Sequence, residues 1–103
     1  MKDKYRYELN NLAVGLMNRD IPFKFTIFFN GGQIETSTWD VICHDYSYGH
    51  ESGLLEAFGD DIVEENYKGD VEGYLTARDI LDRIDNKEVR NDSTDNINNS
   101  FND

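Results

Sequence analysis

Apolar residues recur through the first eighteen positions at Tyr5, Leu9, Leu12 and Leu16, with Ala13 and Met17 widening the stripe. Spacings of four, three and four are what an α-helix needs to turn one face inward, so the pattern predicts a helix over 3–18. Asp20-Ile21-Pro22 ends it, because the residue before a proline avoids helical geometry. From Phe23 the period drops to two. Phe23, Phe25, Ile27 and Phe29 share one face and Lys24, Thr26 and Phe28 the other, which predicts a half-buried strand. Asn30-Gly31-Gly32 offers residues that accept positive φ, the requirement of a tight hairpin turn.

Gln33 to Thr38 returns as a second strand, with Ile34 and Thr36 alternating against polar neighbours. Trp39-Asp40-Val41-Ile42-Cys43 is either a third strand or a bulged continuation of the second, and Ser37 and Thr38 leave both open. Phe28, on the minority face, is either an exposed contact or packs under the tail. His44 to Ser52 reads as a loop carrying Gly49. Leu54 to Phe58 is expected as a short helix, Ser52 its N-cap and Gly59 its C′ residue. Asp60 to Gly69 is mostly loop, with Ile62, Val63 and Tyr67 as anchors, and Val71 to Leu75 is a short extended piece. Thr76-Ala77-Arg78-Asp79 resembles a capping box with Asp in place of Glu. The helix behind it carries Ala77, Ile80, Leu81 and Ile84 on one stripe and ends near Asp85-Asn86.

These elements predict one α+β domain over 1–87. An N-terminal helix lies on a small antiparallel sheet of two or three strands, followed by a short helix and a C-terminal helix over the same face. The expected core is Leu9, Leu12, Leu16, Phe25, Ile27, Ile34, Trp39, Val41, Leu55, Phe58, Ile80, Leu81 and Ile84. Residues 88–103 read as a disordered polar tail, since 91–100 contain a single aliphatic side chain, too few to offset the entropy of ordering.

Charge changes the picture next. Twenty-one acidic against ten basic residues give −11 over 103 residues, and the excess is uneven. Residues 1–39 hold five basic and four acidic side chains, whereas 40–85 hold three and thirteen. Such a field repels nucleic acid and anionic lipid, so neither is an expected direct partner. It either solubilises the surface or complements a basic groove on another protein. One cysteine forms no internal disulfide, which fits a reducing cytoplasm. No charged n-region with an apolar run opens the chain, and no apolar segment approaches the roughly 20 residues of a membrane span. A cytoplasmic protein is expected.

Candidate chemistry concentrates between Cys43 and Glu51. Cys43, His44, Asp45, His50 and Glu51 are all metal-ligand types, but a closed zinc site takes four ligands with paired spacings, and only one cysteine is present. Cys43 and His44 would also point to opposite faces of a strand, so histidines hydrogen-bonded inside the loop are the better reading. A Cys43 nucleophile needs a thiolate-stabilising field, and its acidic surroundings oppose one. Ser47, His50 and Asp45 form a triad in composition only, without a nucleophile elbow. Paired carboxylates at Asp60-Asp61, Glu64-Glu65 and Asp79/Asp82 read as a solvated face. No catalytic residue, metal or cofactor is expected. Tyr46, Tyr48, Tyr67 and Tyr74 interleave with Asp and Glu instead, the make-up of an interface core with a charged rim.

The run Trp39-Asp40-Val41-Ile42-Cys43-His44, then Ser47-Tyr48-Gly49 and Gly53-Leu54-Leu55-Glu56, resembles small uncharacterised proteins of phages and prophages of Gram-positive bacteria. Gly73-Tyr74-Leu75-Thr76-Ala77 with Asp79-Ile80 resembles the same group, and the likeness covers residues 8–85. In size and acidity the chain is similar in kind to anti-CRISPR proteins. That resemblance implies an inhibitor of a host defence complex, an RNA-guided CRISPR effector nuclease above all, in whose nucleic-acid groove carboxylates take phosphate positions. The expected contact residues are Asp45, Tyr46, Tyr48, Glu51, Asp60, Asp61, Glu64, Glu65, Asp70 and Glu72. Alternatives from other classes are a metal protein or enzyme using Cys43, His44 and His50, and a homo-oligomeric phage regulatory protein.

Overall fold

The computed structural model describes residues 1–59, 61–63 and 71–87. The expected tail over 88–103 and most of the expected loop at 60–69 lie outside the described residues. The chain order is helix α1 (Asp3–Asn18), strands β1 (Lys24–Phe28), β2 (Gly31–Glu35) and β3 (Asp40–His44), a 3-10 turn at His50–Ser52, strands β4 (Leu55–Phe58) and β5 (Val71–Leu75), and helix α2 over residues 77–87. The protein is α+β, with one antiparallel sheet in the order β1-β2-β3-β4-β5. No helix among the described residues is long and apolar enough to cross a membrane.

Helix α1 follows its periodicity: Tyr5, Leu9, Leu12 and Leu16 are fully buried. Its end is a Schellman motif, with Asp20 N–H donating to the Met17 carbonyl (3.1 Å) and Ile21 N–H to that of Leu16 (3.0 Å). Asp20 takes the left-handed position (φ 56°) that glycine usually fills. Met17, expected on the buried stripe, is 57 % exposed on the helix flank.

Strand register puts Phe25, Ile34, Val41 and Ala57 opposite one another across β1 to β4, so they line the face under the helices. The β1–β2 hairpin turns on Phe29-Asn30, and Gly31 and Gly32 are already paired in β2. Neither glycine has positive φ. Their bareness serves close approach instead. A Cβ on Gly31 would meet His44 Cβ and the Cys43 carbonyl, and one on Gly32 would meet Leu9 of the helix above.

The sheet corrects the sequence reading in number and identity of strands: five, not two or three. Leu54 to Phe58, expected as a short helix, is β4, and Ser52 caps nothing, lying in the 3-10 turn. A helix of five residues cannot repay its nucleation. As a strand the same residues satisfy β3 on one side and β5 on the other, with Leu55 and Ala57 fully buried. Within the expected core, Ile27 is instead 56 % exposed, and Phe25, Phe58, Leu81 and Ile84 are only partly buried. The cause at β1 is that α1 lies over β2 and β3, which leaves the edge strand overhanging.

Helix α2 begins with the expected capping box. Asp79 N–H donates to Thr76 Oγ1 and Thr76 N–H to Asp79 Oδ2, both at 3.0 Å. It lies beside α1, with Leu81 filling the space a Cβ on Gly15 would take. Glu8 caps the Ala77 N–H (2.8 Å), and Arg19 grips Asp85 through two nitrogens at 2.8 and 2.7 Å. Both helices thus cover one sheet face. On the other face Thr26, Gln33, Ile42, His44 and Phe58 stay partly exposed.

Candidate partner-binding surface

The β3–β4 connection, residues 45–54, is built on three local anchors. Ser47 Oγ accepts from His44 N–H (2.9 Å) and donates to the His44 carbonyl (3.0 Å), closing a tight turn with a buried hydroxyl. His44 Nδ1 accepts from Tyr46 N–H at 3.0 Å, which puts the imidazole proton on Nε2. The loop is then tied to the start of α1. Tyr5 Oη donates to Asp45 Oδ1 at 2.8 Å, Lys2 Nζ reaches the same oxygen at 3.4 Å, and Lys4 Nζ donates to the Glu51 carbonyl at 3.1 Å. Because the Tyr5 proton goes to Asp45, the 3.3 Å contact with His50 Nδ1 requires that nitrogen to donate.

Each residue of the imagined triad has therefore a structural partner: Ser47 a backbone turn, His50 and Asp45 the phenol of Tyr5. Cys43 faces the helices and is fully buried, while His44 lies on the opposite sheet face. Burial pushes the Cys43 thiol up to about 11, which disarms it as a nucleophile at neutral pH. Among the described residues no group of three or more His, Cys, Asp and Glu is placed to hold a metal ion.

The same anchor makes the fold sensitive to pH. Burial first, then the hydrogen bond to Asp45, raises Tyr5 to about 12 from 10.0. That hydrogen bond in turn holds the Asp45 carboxyl below its ordinary value. Raised acids contribute stability below their unfolded values and lose it as pH climbs through the folded ones. For Cys43 and Tyr5 that window opens near 9.0 and closes near 12. Asp45 works in the opposite sense, its contribution lost as pH falls below the ordinary carboxylate range. Thermal melts between pH 8 and 12 are expected to show a falling midpoint, with a shallower slope in Tyr5→Phe/Cys43→Ala; equal slopes would remove both groups from the account.

Above these anchors the aromatic rings point outward. Tyr46 is 84 % exposed, Tyr48 62 % and Tyr74 61 %. The two segments carrying them are joined: Tyr48 N–H donates to Glu56 Oε1 (2.7 Å), and Tyr74 N–H reaches the Tyr48 carbonyl at 3.4 Å. Tyr74 owes its position to a β-bulge. Leu55 pairs with Leu75 but Ala57 with Glu72, so Gly73 and Tyr74 together face Glu56. Tyr74 sits at φ +61°, a left-handed conformation costing a bulky residue on the order of 1–3 kcal/mol. A side chain on Gly73 would strike Tyr48 Cβ. Beside them, Phe28, His44 and Tyr46 form a row with ring centroids 6.4 Å apart at each step.

The acidic half is distributed differently from the sequence expectation. Glu72 is not a surface contact: it is buried at 7 % exposure and held by Arg83 through two nitrogens at 2.8 and 2.9 Å. Asp61 pairs with Lys87 (3.1 Å), Asp45 with Lys2, Asp82 with Arg78 and Asp85 with Arg19. Glu51, Tyr46 and Tyr48 are on the surface as expected. Asp60, Glu64, Glu65 and Asp70 lie outside the described residues. The described carboxylates thus do not form one unpaired row. Tyr74, absent from the expected contacts, belongs with Tyr46 and Tyr48. Its signal was the Gly73-Tyr74 step inside a strand pattern, since an isolated strand glycine marks a bulge. Compared with family models, curated proteins and solved structures, the chain finds no match.

Proposed function

We propose that this protein is a binding module that docks on a basic surface of another protein through Tyr46, Tyr48 and Tyr74. One observation carries the reading: three tyrosines stand more than half exposed on two hydrogen-bonded segments, one of them on backbone strained to hold it out. Tyr, with few rotatable bonds, is enriched with Trp and Arg among the side chains that dominate interfaces. Strain of this kind persists where surrounding structure over-determines it, and clusters at working surfaces. The net charge of −11 supplies the partner's sign and speeds encounter.

The partner class we propose is a host defence nuclease guided by RNA, as the resemblance to phage proteins and the likeness in kind to anti-CRISPR proteins imply. In that setting the tyrosines anchor the contact, and the acidic side chains hold off the nucleic acid that would compete for the groove. Five of the described carboxylates between 40 and 85 are ion-paired within the molecule, so charge steers and tyrosine holds.

Binding to such a nuclease and inhibition of its cleavage are the measurements that test it. Tyr48→Ala is expected to weaken binding by about 2 kcal/mol, roughly 30-fold, without moving the melting midpoint. Tyr74→Gly should weaken it similarly and leave stability level, since relief of left-handed strain and the added chain entropy of glycine are each about 1 kcal/mol. Undiminished affinity in both variants would sink the tyrosine surface. Binding by wild type to no basic-grooved nuclease would sink the partner class.

A further inference from the structure

The two edges of the sheet are built differently. β5 is interrupted by the bulge at Gly73-Tyr74, a device that spoils an edge for further pairing. β1 is regular over all five residues and contains neither proline nor bulge. Its one charge, Lys24, is at the start. Among the described residues no strand pairs along its outer side. Its helix-facing side chains are also uncovered beyond their type: Ile27 is 56 % exposed, Phe29 at its end 96 %, and Phe25 and Phe23 only partly buried. Met17, at 57 % exposure, lies on the flank of α1 turned away from Gly15 and Glu8, the residues that meet α2.

We propose that β1 pairs antiparallel with β1 of a second copy, joining two sheets into one of ten strands. The argument for a second copy is that the sequence of this edge is self-complementary about Thr26. With Thr26 opposite its own equivalent, Phe25 faces Ile27 of the copy, and Phe23 faces Phe29. Every side chain on the helix-facing side then meets an apolar one, and the most exposed of them is covered. On the other side Lys24 lies beside the Phe28 ring of the copy, an attractive cation–ring placement. The two Lys24 ammonium groups stay four residues apart along the strands, about 13 Å, beyond the screening length of physiological salt. Such a contact is isologous and closed by its two-fold axis.

The surrounding charge fixes the salt dependence. Each copy carries −11, so the pair forms against mutual repulsion, and added salt tightens it. Partner binding through the tyrosines has the opposite sign, weakening with salt. The two readings can therefore fail separately.

Sedimentation equilibrium of the full chain at rising salt is expected to reach twice 11.9 kDa. Ile27→Lys, at an exposed position, should hold it at 11.9 kDa with the melt at low salt, where the wild type is monomeric, unchanged. Thr26→Cys should give a disulfide-linked dimer on mild oxidation, because the native Cys43 is buried and cannot compete, while Lys24→Cys should not. A monomer at every salt concentration with no Thr26→Cys cross-link would overturn the proposal. So would a dimer indifferent to Ile27→Lys, or a mass that grows without limit. A full chain that dimerises only after removal of 88–103 would assign the edge to that segment and overturn it equally.

Discussion

Arg83→Ala is expected to destabilise the fold by about 3–5 kcal/mol, the cost of taking a two-point guanidinium contact away from a buried carboxylate. Arg83 reaches Glu72 through two nitrogens at 2.8 and 2.9 Å and the Ile62 carbonyl at 3.0 Å. One guanidinium therefore joins α2, β5 and the segment after β4. Removing it takes two hydrogen bonds from a carboxylate with 7 % side-chain exposure and one from a backbone carbonyl. The double variant Glu72→Gln/Arg83→Met should recover part of the loss, because an ion pair's own desolvation cost disappears with it. Urea unfolding of Glu72→Gln, Arg83→Met and the double variant gives the coupling directly. Additive losses, or an Arg83→Ala loss below about 0.5 kcal/mol, would mean that the pair is solvated and unimportant.

Leu12→Ala and Ile80→Ala are each expected to cost about 2–5 kcal/mol, transfer plus cavity. Both side chains are fully buried, one on each helix. The helices close on each other where Leu81 meets Gly15, so neither void can be filled by a simple shift of its helix. Met17→Ala, on the same helix but 57 % exposed, should stay within about 0.5 kcal/mol. Denaturant midpoints for the three variants decide it. A Met17→Ala loss equal to that of Leu12→Ala would mean that the α1 flank is covered in solution.

The tyrosine surface was half legible. Tyr46 and Tyr48 stood out by composition, and both are more than half exposed. Tyr74 stood out with them, but its outward aim was not legible, because it comes from a register shift against β4, and β4 itself was misread. Leu54 to Phe58 carries too few residues for either period to assert itself. Its strand state is imposed by the free edge of β3. The pairing of the carboxylates was not legible for a related reason. Counting charges along 40–85 finds the excess, but not that Glu72 turns inward to Arg83 or that Asp85 meets Arg19, 66 residues away.

What the sequence determined alone is whatever depends on neighbours within a few residues. That covers the stripe and stop of α1, the alternation of β1, the capping box of Thr76 and Asp79, and the opposed faces of Cys43 and His44. Periodicity and backbone capping are local, so the residues that cause them lie side by side. Tertiary structure alone decided the number of strands, the overhang that exposes Ile27, the bulge that lifts Tyr74 and the partner each carboxylate takes. Those depend on which surfaces meet once the helices lie over the sheet, and side chains far apart in the chain settle that competition.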